Sequence, residues 1–407
     1  MQLAKNKLLP LKGKVQHYAW GGVSYLPKLL HLPNPENEPF AEYWLGAHEN
    51  GEGELILNHG ERIRLGEYID TFKQDTLGAT VADRFGRLPY LLKILDVKDM
   101  LSIQVHPSKK SAEKEFELEN RIGIPLKAHN RNYKDDNHKP ELMVALSEFW
   151  LLHGFKPMAL LKKTLTQISE FQSLSVELNK GYAELYRQVM ELPQEEVNKI
   201  LQPLLNRIIP LYKAGQLEKD DENFWAARAA LTFNHHGNID RGIFSIYLFN
   251  LLDLLPGQAI FQDAGVPHAY LEGQNIEIMA NSDNVLRGGL TSKHIAVEEL
   301  MKHIKFEATH PDLVKELKTN HITTAFQTPA PDFELNRIEL KKDETINRLA
   351  HSAEIYFLLS GKMELSEADN ASLARESGEA WICFDQAQFA LHAKENSTLF
   401  FAKVPLA

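Results

Sequence analysis

Tyr133-Lys134-Asp135-Asp136-Asn137-His138-Lys139-Pro140-Glu141 runs straight into the apolar stretch Leu142-Met143-Val144-Ala145-Leu146, so a charged segment delivers its side chains to the start of a buried strand. Pro140 biases Lys139 away from the α region and makes the segment extended, and in an extended chain alternate side chains share a face. Asn137, Lys139 and Glu141 therefore point one way. An amide, an ammonium and a carboxylate entering a core together need compensation, because unpaired buried charge is costly. A bound metal together with an anionic ligand would supply it. On the same reasoning His138 faces away from Glu141 and is read as structural.

Around this stretch the composition is that of an ordinary globular protein: 407 residues, room for two or three domains, with 43% hydrophobic and 25% charged residues. A net charge of −10 argues against nucleic acid or an anionic membrane as a partner. Any anionic ligand must instead meet a local cluster of Lys and Arg. Cys383 is the single cysteine, which excludes an internal disulfide and a multi-cysteine metal site, and fits a reducing, cytoplasmic setting. The segment Met1-Gln2-Leu3-Ala4-Lys5-Asn6-Lys7 lacks the apolar core of a signal peptide. No apolar run reaches the roughly 18 residues of a membrane span.

Residues 1–150 read as mainly β, with strands at Glu54-Leu55-Ile56-Leu57 before an Asn58-His59-Gly60 turn, at 90–97 and at 101–106. From 157 to about 228 the apolar spacing is helical, and Pro193, Pro203 and Pro210 divide it into several helices. Strand texture resumes at Gly242-Ile243-Phe244-Ser245-Ile246-Tyr247-Leu248 and passes a Pro256-Gly257 turn. The expected architecture is mostly β: a discontinuous domain over 1–156 and 230–315, a helical insertion over 157–229 and a second β domain over 316–407.

Other candidate ligands lie at strand ends. Gln104 and His106 share a face in Gln104-Val105-His106-Pro107, and His268 follows a turn in Gly265-Val266-Pro267-His268-Ala269-Tyr270. With Glu141 they make a two-nitrogen, two-oxygen set without thiolate, which suits zinc and leaves manganese, iron and cobalt chemically open. Glu277 faces the same interior through alternation. The loop Ser282-Asp283-Asn284-Val285-Leu286-Arg287-Gly288-Gly289-Leu290-Thr291-Ser292-Lys293 supplies Arg287 and Lys293 for an anionic substrate. Lys93, in Leu91-Leu92-Lys93-Ile94-Leu95, is a buried-strand lysine better explained by a pocket than by an unpaired ammonium.

The 133–141 stretch, the 104–107 stretch and the segment from His268 to Lys293 together resemble the class I mannose-6-phosphate isomerases, also called phosphomannose isomerases, which are zinc-dependent cupin enzymes. The resemblance implies a catalytic cupin (jelly-roll) domain interrupted by helices and followed by a second cupin-like domain. It implies one zinc per chain, held by Gln104, His106, Glu141 and His268, and a monomer that interconverts mannose 6-phosphate and fructose 6-phosphate through an enediol. Arg287 and Lys139 are then catalytic, with Lys139 a candidate acid or base because a nearby divalent cation disfavours its ammonium form. Lys93, Glu277 and Asp283 match acid, base or pocket positions. Trp20, Ser102, Tyr270 and Lys293 match pocket-lining ones. Two positions depart from the family pattern: Ser292 stands where Pro is usual, and Gly288 where Ala is common. Two other functions fit a cupin: an iron oxygenase, whose sites hold two His and one carboxylate, and a non-enzymatic sugar-binding protein. Gln104 and the Arg287/Lys293 loop favour the isomerase.

Overall fold

The strand Tyr90–Val97 is buried along its whole length, and its two faces enter different cores. Leu92 and Ile94 pack in a cluster with Leu335, Ile355, Phe357 and Ala402 of the C-terminal β unit. Leu95 and Val97 pack in a second cluster with Met143, Leu151, Ile260 and Tyr270. A strand covered on both faces reads as a near-continuous apolar run, and each buried Leu or Ile contributes roughly 1.5–3 kcal/mol. The computed structural model describes residues 6–57, 60–367 and 372–405, so the extreme N-terminus and Asn58 and His59 of the expected turn lie outside the described residues.

One long strand, His268–Ala280, organises the first β unit. Its first half pairs antiparallel with Phe149–Phe155 and meets Gln104–Val105, and its second half lies between Tyr90–Val97 and Glu141–Ala145. The change of partners coincides with a register shift between Tyr270 and Glu272. Gly273 follows it at φ +129, where a Cβ would meet the Glu148 carbonyl oxygen at 2.6 Å.

The second β unit is a nine-stranded sheet facing a four-stranded one. The N-terminal strand Leu8–Lys12 pairs with Ala380–Cys383, and Glu54–Ile56 and Arg62–Arg64 extend the same sheet. Residues whose texture groups them with the first unit therefore hydrogen-bond into the second, and the division expected at 316 does not follow the sheets.

Two further expectations fail for physical reasons. Gly242–Leu248 is a helix, not a strand. All seven residues are buried, and a short run apolar on every side carries no period by which to tell a buried helix from a buried strand. The Asp240 carboxylate accepts the Gly242 amide at this helix start. Pro203 and Pro210 do not break the chain but lie inside one helix, Gln194–Lys213. Both prolines sit on its exposed face, where the carbonyls they release meet water, while Val197, Leu201, Leu204, Leu205 and Ile208 hold the other face in the core. Helical structure continues through Glu222–Phe233 to Leu248, past the expected end at 229.

The start of the 133–141 stretch is tied to the helix Val297–His303. The Tyr133 hydroxyl lies 2.6 Å from both Glu299 Oε1 and His303 Nε2. His303 foremost, then Lys302 and Tyr133, overcome partial burial and hold the Glu299 carboxyl down at about 2, from an ordinary 4.5. A depressed carboxyl stabilises the fold above its unfolded value and loses that contribution as pH falls through its folded one. Glu299→Gln is therefore expected to lower Tm at neutral pH, and the gap to wild type should close as pH falls from 4.5 towards 2. A gap independent of pH in thermal melts would contradict this anchoring.

Candidate active site and metal centre

Strand register builds the site. Arg287 lies opposite Gln104, Gln104 opposite His268, and His268 opposite His153, so four neighbouring strands present one row of polar side chains. Glu141 begins the strand that pairs with the other half of His268–Ala280, opposite Met279.

Within this frame His106, Glu141 and His268 converge, with one ligand atom from each lying within 4.8 Å of the others. His106 Nε2 is 3.5 Å from Glu141 Oε1, and His268 Nε2 is 3.3 Å from Glu141 Oε2. Each ring is oriented from behind: His106 Nδ1 lies 2.8 Å from the Asn284 carbonyl oxygen and His268 Nδ1 lies 3.0 Å from that of Val266. A carbonyl only accepts, so each neutral ring carries its proton on Nδ1 and turns the Nε2 lone pair inward. Both Nε2 atoms are buried without a hydrogen-bond partner. Burial pushes the His106 imidazole down to about 4 despite the carboxylate beside it. Burial alone would raise Glu141, but Lys139 and the two imidazoles outweigh it and hold the carboxyl well below its usual range. Two imidazole Nε2 atoms aimed at an ionised carboxylate form a donor set for a divalent cation, and zinc fits it. Gln104 is half-buried, lines the cleft and lies in register with His268.

Lys139 Nζ sits 3.0 Å from Glu141 Oε1, as the shared face of the opening stretch requires. His138 turns the other way, its Nε2 2.8 Å from Asp332 Oδ2. The rest of the stretch is scaffold. Asp135 accepts from the Asn137 and Asp283 amides and the Ser282 hydroxyl, while the Asn284 side chain bonds the backbone of Lys134, Asp135 and Asn137. These bonds place the Asn284 carbonyl that orients His106.

At the floor of the cleft, Trp44, Lys93 and Glu277 lie opposite one another on three strands. Lys93 Nζ is 3.1 Å from Glu277 Oε1 and 3.7 Å from Glu42 Oε2. The Tyr270 hydroxyl donates to Glu277 Oε2 at 2.8 Å, and the Trp44 indole donates to Glu42. Burial opposes the Lys93 ammonium, yet Glu42 and Glu277 more than restore it and hold its pKa above the ordinary range. Glu277 itself is pushed up by burial.

The cleft above has a volume of about 570 Å³, and Trp20, Lys93, Ser102, Gln104, Lys139, Asp283, Arg287 and Lys293 all line it. Glu277 and Tyr270 do not; they are buried beneath its floor. Asp283 is held by the Asn50 amide at 2.6 Å and lies 3.4 Å from His48 Nε2. Arg287 makes no ion pair among the described residues, and burial alone lowers its pKa. Gly288 has a local reason, because a Cβ there would meet the Tyr186 hydroxyl oxygen at 2.7 Å. A larger groove of about 1000 Å³ adjoins the cleft at His48 and Asp283, but there Glu49, Glu52, Glu67, Asp70 and Asp136 outnumber Arg64, Arg87 and Lys134 and disfavour an anion.

The sequence reading missed Glu42 and His48, whose partners come from distant strands. It also missed His153 and Gln262, which face His268 and Glu141 across the strands with every side-chain polar atom unpartnered. His153 sits in the apolar run Leu151-Leu152-His153-Gly154-Phe155, which offers no local sign of a site.

Lys93→Met would leave two buried carboxylates facing each other, so we expect a loss of about 3–5 kcal/mol in chemical denaturation. Adding Glu277→Gln should recover part of it, as coupled neighbours do. A loss below about 1 kcal/mol would contradict the pairing.

Comparison with known proteins agrees with this geometry. Residues 8–158 match the model of the phosphomannose isomerase type I catalytic domain. The chain is 36% identical to the mannose-6-phosphate isomerase of Salmonella typhimurium over 386 residues, 93% of this chain and 95% of that one. It is 33% identical to the human mannose-6-phosphate isomerase over 390 residues, 88% of this chain and 89% of that one. The solved Salmonella typhimurium mannose 6-phosphate isomerase bound to fructose 6-phosphate and zinc superposes with a TM-score of 0.88 at 32% identity, covering 98% of this chain and 100% of that one. The chain belongs to the type I phosphomannose isomerase family.

Proposed function

We propose that this chain interconverts mannose 6-phosphate and fructose 6-phosphate, acting as a monomeric cytoplasmic enzyme with one zinc per chain and with two cupin-like β units. The observation that carries the reading is a buried His106–Glu141–His268 donor set whose neighbour Lys139 lines the same cleft as Arg287, a cation with no ion pair among the described residues. His106, Glu141, His268 and Gln104 would hold the metal. When bound, zinc supplies Lewis-acid polarisation of the sugar oxygens at C1 and C2.

The reaction opens the sugar ring and moves a proton between C1 and C2 through an enediol whose oxygens gain negative charge. Arg287, permanently charged and with no ion pair among the described residues, stabilises that charge. Lys139 reaches the cleft beside Glu141 and is the group we assign to proton transfer. Lys93, locked as an ammonium by Glu42 and Glu277, donates to substrate oxygens and is unsuited to be a base. Glu277 and Tyr270 act through Lys93, beneath the cleft floor. Asp283, fixed by Asn50 and His48, orients a sugar hydroxyl. Lys293 and Ser102 serve the phosphate, and Trp20 closes one wall.

A coupled assay should record mannose 6-phosphate isomerisation that a chelator abolishes and zinc restores; chelator-resistant turnover would refute the metal assignment. Arg287→Ala should keep its metal and lose roughly 10²–10³ in kcat. Lys139→Met should likewise keep its metal and lose roughly 10²–10⁴. Full turnover in either variant removes that residue from the mechanism.

A further inference from the structure

Arg287 and Lys293 border more than the substrate cleft. They also form one wall of a separate pocket of about 460 Å³ enclosed by residues 127–134 and 285–296. Lys127, His129, Arg131, Lys134 and His294 line the remainder, and among the described residues no carboxylate lines it. In a chain of net charge −10 this concentration of cations is local, and part of it is firmly built. Arg131 is buried and fixed by Glu119 at 2.8 Å and by the Ile124 carbonyl at 2.7 Å, and Lys134 Nζ donates to the Leu126 carbonyl at 3.1 Å. Lys127, Arg287 and Lys293 make no ion pair among the described residues. Burial lowers the pKa of Lys134 and Lys293; Arg287 adds to both, while Glu119 works against the shift at Lys134. Arg131 has its carboxylate partner, but Lys127, Arg287 and Lys293 leave a local excess of positive charge that a bound dianion would relieve.

We propose that this pocket binds a second phosphate-bearing anion, distinct from the substrate in the cleft, and that the two sites are coupled through Arg287 and Lys293. The volume lies within the roughly 300–1,000 Å³ of small-molecule sites, so a phosphate monoester fits as well as inorganic phosphate. The identity of the cleft's occupant rests on the function proposed above; the pocket's affinity for phosphate does not. An anion in the pocket draws on the same guanidinium that stabilises the enediolate, so its binding should depress turnover without being displaced by substrate.

The test is calorimetric titration of the zinc-loaded protein with inorganic phosphate, compared with Lys127→Glu/His129→Glu, neither residue touching the cleft. Wild type is expected to retain one phosphate equivalent when fructose 6-phosphate is saturating. The double variant should lose that binding by at least tenfold while its KM for mannose 6-phosphate changes less than twofold. Complete displacement of phosphate by fructose 6-phosphate, with a KM raised in the variant, would make the pocket part of the substrate's own phosphate site and overturn the proposal. Unchanged phosphate binding in the variant would overturn it as well. If no isomerase activity exists, the function proposed above fails, yet variant-sensitive phosphate binding still reports on the pocket.

Discussion

An ionised carboxylate almost wholly removed from water is the constraint on which the rest of this site depends. Glu141 is 4% exposed, and desolvating such a charge costs several kcal/mol unless neighbours offset it. Lys139 and two inward-facing imidazoles do so, and each imidazole is held by a backbone carbonyl behind it. Those carbonyls belong to the turn before His268 and to the loop that Asp135 and Asn284 stitch to the 133–141 stretch. The long strand His268–Ala280 brings these pieces together by pairing with different partners along its two halves.

Around this centre the charges are sorted by depth. On the floor, Lys93 is neutralised by Glu42 and Glu277 and so is rigid. On the wall, Arg287 has no ion pair among the described residues and is available to a ligand. The adjoining acidic groove disfavours the same ligand, so charge and not volume selects the cleft. Asp240 joins the helical region to this arrangement. Its carboxylate accepts the Leu290 and Thr291 amides of the cationic loop as well as the Gly242 amide, and a Cβ on Gly242 would meet the Leu290 amide at 2.5 Å.

How much of this was legible in the chain depends on whether the relevant spacing is local. Lys139 and Glu141 lie two residues apart in a segment extended by Pro140, so their shared face and the opposite face of His138 follow from the period of a strand. The mostly β character and the helical stretch after 157 are legible for the same reason. Gly242–Leu248 is not, because burial on every side erases the period that separates helix from strand. Pro203 and Pro210 mislead because a proline on a helix's exposed face costs less than packing of the opposite face returns. The pairing of Lys93 with Glu42 and Glu277 is a matter of cross-strand register, which no single segment encodes. The same holds for the N-terminal strand, whose partner lies more than 360 residues away.

Zinc-edge X-ray absorption of the purified protein tests the metal centre most directly. One zinc per chain, with imidazole nitrogen and oxygen ligands at about 2.0–2.2 Å and no sulfur, is the expected result. A sulfur shell at about 2.3 Å, or no stoichiometric zinc in protein purified without chelator, would contradict a centre built on His106, Glu141 and His268.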